Sequence, residues 1–179
     1  MPKENILALL AGGDRRSIGR ADEVAAMVSK SPKLFSRLIA GLWSQDAVVR
    51  MRAADAAEKI TRKNQAVLRP HKKALLGLMH EAMEKEMRWH LAVLIPRLPL
   101  NVRERLMAMA ALHHYLEDRS SIVRTFALQG MADLAQGDPG LRLNVIDILQ
   151  QSVSRGTPAM KARSRKLLLQ LQRLSSEPE

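Results

Sequence analysis

Ser44-Gln45-Asp46-Ala47-Val48-Val49-Arg50-Met51-Arg52-Ala53-Ala54 begins a run in which Val49 is followed by Ala53, Ala57 and Ile60, four, eight and eleven places on. At about 100° per residue these positions share one side of a helix. The same spelling starts again at Met87, Val123 and Met160, after 38, 36 and 37 residues. Each anchor is followed by a cation: Arg50, Arg88, Arg124 or Lys161. The fourth place after the later anchors holds Leu91, Ala127 or Ser164, the eighth Ile95, Met131 or Leu168, and the eleventh Leu98, Leu134 or Leu171. A repeat near 37 residues has room for two helices, and neither helix of a pair can bury its apolar stripe without the neighbouring pair.

The acid, Val-Arg pair and small-residue stripe of residues 44–54 resemble the second helix of a HEAT repeat. Asp46 and Glu84 take the acidic place, Asp118 lies just upstream of it in the next copy, and Thr157 departs from the pattern. The resemblance covers about 33–174. It implies an all-α, right-handed α-α superhelix, a HEAT-like solenoid of about five hairpins in a single domain, 1–174. Four repeats are read at 33–62, 66–98, 101–135 and 139–173. A degenerate N-terminal cap hairpin spans 4–30, turning at Gly12-Gly13-Asp14 with its second helix from Ser17, and a frayed tail covers 175–179. The resemblance also implies that the cation after each anchor bonds an acid in the adjoining turn, such as Asp46 or Glu84.

Local chemistry supports these boundaries. Ser31-Pro32, Asp138-Pro139 and Thr157-Pro158 each set a capping residue before a proline at the first helical position. Pro96 has no N–H for the carbonyl of Ala92, which predicts a kink or an early stop, and Pro70 is expected in the first turn of its helix. Sustained period-two alternation and Asn-Gly turns are absent from the sequence, which argues against strands.

Composition narrows the classes further. No apolar run reaches the ~18 residues of a membrane helix, and residues 1–6 do not read as the start of a secretory signal. The absence of cysteine removes disulfides, thiolate catalysis and cysteine zinc sites, and fits a cytoplasmic protein. The 29 Lys and Arg against 18 Asp and Glu leave a formal charge of +11, which favours an acidic partner.

Candidate partner-binding residues are those placed opposite the apolar stripe: Trp89, Val93 and Pro96 in one repeat, Met51 and Asp55 in the one before. Two acid-free stretches form candidate basic patches. Arg62, Lys63, Arg69, Lys72 and Lys73 belong to the first, and Lys161, Arg163, Arg165 and Lys166 to the second. Catalytic and metal-ligating patterns are weak. His113 and His114 are adjacent, so they point about 100° apart on a helix. His80-Glu81 is a single His-Glu pair, where the HEAT-type deoxyhypusine hydroxylases use several. The expected function is a non-enzymatic scaffold that needs no cofactor and presents a concave helical surface to an acidic protein. The alternative is sequence-independent nucleic-acid binding through the basic faces. A third reading, a HEAT-like DNA glycosylase or other HEAT enzyme, has the charge and one aromatic, Trp89, but no motif matched residue by residue.

Overall fold

The computed structural model describes residues 5–14 and 17–176, and every regular element among them is helical. The start of the expected cap hairpin at residue 4 and the tail from 177 lie outside the described residues. The chain divides into two compact units, 1–77 and 78–179.

The first unit holds α1 (Ile6–Leu10), α2 (Ala21–Lys30), α3 (Phe35–Ala40) and α4 (Ala47–Thr61). Short 3-10 turns, Pro32–Leu34 and Gly41–Trp43, bracket α3, and a longer 3-10 segment covers Gln65–His71. Helix α5 (Lys72–Glu81) carries the chain past residue 77. The first three helices all pack on α4. Four fully buried alanines, Ala53, Ala54, Ala56 and Ala57, let them come close, and Ile6, Leu10, Val24, Val28, Leu38 and Leu42 fill the space around them. Asp46 caps α4 by accepting the Val48 N–H at 2.8 Å. Pro70 falls at the end of the 3-10 segment and not in the first turn of an α-helix. Its missing N–H and the restriction it places on Arg69 delay the α-helix to Lys72.

Helix α2 starts at Ala21 rather than at Ser17, because Gly19 adopts φ +52. A buried cation from α4 shapes this loop. Arg52 is only 3% exposed. It donates to the carbonyls of Leu10 (2.8 Å), Gly12 (2.6 Å), Asp14 (3.0 Å) and Ser17 (3.1 Å). A Cβ on Gly19 would run into the guanidinium, at 2.6 Å from its central carbon. The left-handed backbone and the close approach both require glycine there.

The second unit contains α6 (Lys85–Leu94), α7 (Val102–Tyr115), α8 (Ser121–Gln136), α9 (Pro139–Arg155) and α10 (Pro158–Ser176). Helices α7 and α9 pack on the helices that follow them, α8 on both α6 and α10. The periodic positions are the contact side. Across both units all four anchors are buried, and so are the positions four, eight and eleven residues on, except Leu168, which is half-buried. Pro96 ends α6 early: the helix stops at Leu94 and a 3-10 turn, Ile95–Arg97, follows. Asn101 and Glu104 form a reciprocal capping box on α7 that the proline-based reading did not include. Asp138 caps α9 through the Gly140 N–H at 3.1 Å. Where α8 crosses α6, Gly130 meets the backbone of Ala92: an added Cβ would overlap the Ala92 carbonyl oxygen. Ser175 and Ser176 continue α10 where a frayed end was expected. No helix among the described residues is long and apolar enough to cross a membrane.

Candidate functional site

The charge is unevenly shared. Residues 1–77 contain 15 of the 29 cations and seven of the 18 acids, a formal +8. Acids of this unit are occupied internally. Asp22 and Asp55 both pair with Lys59, the latter at 2.7 Å. Glu58, buried at 6% exposure, takes Arg62 at 2.6 Å, and Glu23 takes Arg20 at 2.7 Å. Lys30, Lys33, Lys63, Arg69 and Lys73 are exposed, and none has an ion-pair partner among the described residues. Lys63 borders an apolar cleft of about 160 Å³, whose walls are Val28, Pro32, Phe35, Ile60 and Val67. Lys30 and Lys33 flank the lining residues Ser29 and Pro32 in the chain. The His71 ring lies tilted against Phe35 at 5.8 Å, and burial lowers its pKa, which favours the neutral ring.

A second surface lies on α6, α8 and α10. The Trp89 ring stacks on Phe126 at 5.1 Å, and the Arg163 guanidinium sits 5.4 Å from the centre of the Phe126 ring. Arg163 also donates to the Gln129 side-chain oxygen at 2.7 Å, and the Gln129 amide donates to Asp133 at 2.8 Å. Burial pushes the Asp133 carboxyl above its usual range, against the Gln129 hydrogen bond and the charges of Arg97 and Arg163, which pull it down. The arrangement is a rigid stack of two aromatics and a cation with one carboxylate at its side.

The sequence-derived residues fall as follows. Trp89 is half-buried in this stack, Val93 is buried at 8% exposure, and Pro96 is half-buried in its 3-10 turn. Met51 and Asp55 are half-buried on α4, Asp55 held by Lys59. Of the first basic group, Arg62 is tied to Glu58, Lys72 is half-buried, and Lys63, Arg69 and Lys73 reach solvent. Of the second, Arg163 is spent on Phe126 and Gln129, Lys161 is half-buried, and Arg165 and Lys166 are exposed on α10. The cations after the anchors reach further than the adjoining acids. Arg50 donates to the carbonyls of Ser44 (2.6 Å) and Gln45 (3.0 Å). Arg88 donates to the carbonyl of Ala82 (2.8 Å) and to Asp118, thirty residues on (2.6 Å).

Sequence reading missed Phe126, Asp133 and Arg52. The half-buried edge of α8 runs through Phe126, Gln129 and Asp133, whereas Thr125 and Ala132 are buried. Phe126 and Arg163 both stand three places after an anchor, which is the signal that pairs them. No group of three or more His, Asp or Glu among the described residues is placed to hold a metal ion. His114 pairs with Glu117 at 3.3 Å on an exposed turn. The chain matches no protein-family model, and neither curated proteins nor solved structures give a match.

Proposed function

We propose that the protein is a non-enzymatic interaction module of the HEAT-like solenoid class, and that residues 1–77 dock an acidic, amphipathic segment of a partner protein. The repeat near 37 residues, with its buried stripe, supports the class. The cleft beside Lys63 carries the functional reading. It pairs an apolar slot, sized for one large aliphatic or aromatic side chain, with cations that have no internal acid to satisfy them. A segment that alternates acids with apolar residues matches both features. Nucleic acid matches only the charge, because phosphates gain nothing from Val28, Phe35 or Val67.

The test is fluorescence anisotropy with two labelled probes on the full chain: an acidic peptide containing leucine and phenylalanine, and an oligonucleotide of equal charge. The peptide is expected to bind, with Val67→Glu and Lys63→Glu each weakening it by about tenfold. Tighter oligonucleotide binding that ignores Val67→Glu would replace this reading with the nucleic-acid one.

A further inference from the structure

Helices α7 and α9 correspond residue for residue at a shift of 37. Ala108, Leu112 and Tyr115 are buried in one, Val145, Leu149 and Ser152 in the other. The turn after α7 contains Asp118, and the corresponding residue is Arg155, the last of α9. The cation facing that turn is Arg88 in the first instance and Arg124, 36 residues later, in the second.

In the first instance the cation is matched by an acid. Arg88 and Asp118 form an ion pair at 2.6 Å with little exposure on either side. Tyr115 donates its hydroxyl to the carbonyl of Met79 at 2.6 Å, and together with Arg88, His80 and His114 it lines a cavity of about 410 Å³. In the second instance both positions are exchanged, although Asp118 still lies close enough to Arg124 to feel its charge. The acid has become Arg155, and the phenol has become the short hydroxymethyl of Ser152. The cavity here, about 220 Å³, is lined by Arg124, Gln151, Ser152, Arg155 and Gly156, and also by the apolar Leu116, Leu128, Ile148 and Met160. Ser152 is 7% exposed and its hydroxyl has no hydrogen-bond partner, and the Arg124 Nε is buried without one. Native interiors satisfy nearly all such atoms, so two orphaned polar atoms beside one cavity call for an explanation. Helix α10 begins two residues after Gly156, and Met160 of its first turn borders the same cavity, which adds the partial positive charge of a helix start.

We propose that this cavity binds the phosphoryl group of a small molecule, through the Arg124 and Arg155 guanidiniums and the Ser152 hydroxyl. Two guanidiniums and a helix start favour a doubly charged anion even with Asp118 near Arg124, and three donor groups lining one cavity exceed what the flat edge of one carboxylate can accept. The site is separate from the Lys63 cleft in residues 1–77, so either assignment can fail without the other.

Isothermal titration calorimetry with inorganic phosphate as probe tests this, with glycerol 3-phosphate and acetate run in parallel. Phosphate is expected to bind with a dissociation constant near or below ~1 mM. Arg155→Asp rebuilds the Arg88–Asp118 pairing and is expected to keep helicity and melting temperature while weakening phosphate by at least about tenfold. Ser152→Tyr rebuilds the Tyr115 arrangement and is expected to do the same, so the result does not hang on one variant. Tighter glycerol 3-phosphate identifies an ester as the source and tighter phosphate the free ion, and either supports the site. No heat or spectral change up to ~10 mM phosphate, equal affinity for acetate, or unchanged affinity in both variants would overturn it.

Discussion

Replacing Gly130 by alanine tests whether α6 and α8 are packed as closely as described. In an isolated helix this change is favourable by up to ~1 kcal/mol, since alanine is the better helix former. Here the new methyl overlaps the Ala92 carbonyl oxygen and lies 3.1 and 3.2 Å from the two Leu112 methyl carbons. The oxygen belongs to a helix backbone, so no side-chain rotation relieves it. The helices must separate by roughly 1 Å to restore ordinary contacts. Because the clash is with backbone, its cost falls in the upper part of the ~1–3 kcal/mol overpacking range, ~2–3 kcal/mol, which leaves a net loss of ~1–2 kcal/mol after a propensity gain of ~1 kcal/mol. At about 2–4 °C per kcal/mol for a chain of this size, the melting temperature should fall by about 2–8 °C. Gly77→Ala is the matched control. Gly77 is exposed within α5 and an added methyl meets nothing within 4 Å, so only the propensity gain of ~0.5–1 kcal/mol remains. Thermal melts followed by circular dichroism on the two variants should move in opposite directions. A Gly130→Ala protein as stable as Gly77→Ala would refute the close crossing.

Arg52→Met keeps the side-chain volume and removes every donor to Leu10, Gly12, Asp14 and Ser17. A cost of ~2–4 kcal/mol is expected from losing several charge-assisted hydrogen bonds, partly returned by no longer burying a cation. Limited proteolysis should then cut within residues 11–19 well before it cuts α4. The Asp118 carboxyl should make stability depend on acid. Burial pushes it up, but the Ser120 N–H and the Arg88 guanidinium, with Arg124 adding charge, outweigh this and hold it below its ordinary value. A depressed folded-state pKa means stabilisation that is complete above the unfolded value near 4 and is lost as the pH falls through the lower folded one. Urea melts of wild type and Asp118→Asn should therefore differ by ~1–3 kcal/mol at neutral pH and converge under acid. A gap that stays constant down to about pH 2 would contradict the pairing.

Much of the architecture was legible because one side of each second helix is spelled the same way four times. Periodic burial needs only spacing, and spacing survives substitution: Val49, Met87, Val123 and Met160 differ in shape and occupy the same kind of place. Proline and capping chemistry likewise act within a few residues, which is why the stop at Pro96 and the cap at Asp138 could be read. Features that depend on distant partners were not legible. Arg52 stands in the sequence like any surface arginine, and only the loop at 10–17 makes it an interior one. Glu58 likewise stands in the sequence like any helix-surface acid and is buried with Arg62 beside it. Phe126 was not legible as part of a site, because a stripe of small residues leaves the edge of the buried arc undefined to within one helical step. The exchange of Asp118 for Arg155 was visible at the repeat distance. Its meaning was not, because the partner cation comes from a different hairpin.

The guanidinium of Arg52 also sets a minimum length for the first unit. A shortened protein beginning at α2 would retain a full positive charge among the alanines of α4 while lacking the carbonyls that solvate it. Such a truncation would not simply lose a decorative end. It would inherit an ion in a dry setting, and α4 would have to turn, admit water or unravel locally to hydrate it. The amino-terminal segment thus serves as the internal solvent of a helix more than thirty residues further along the chain.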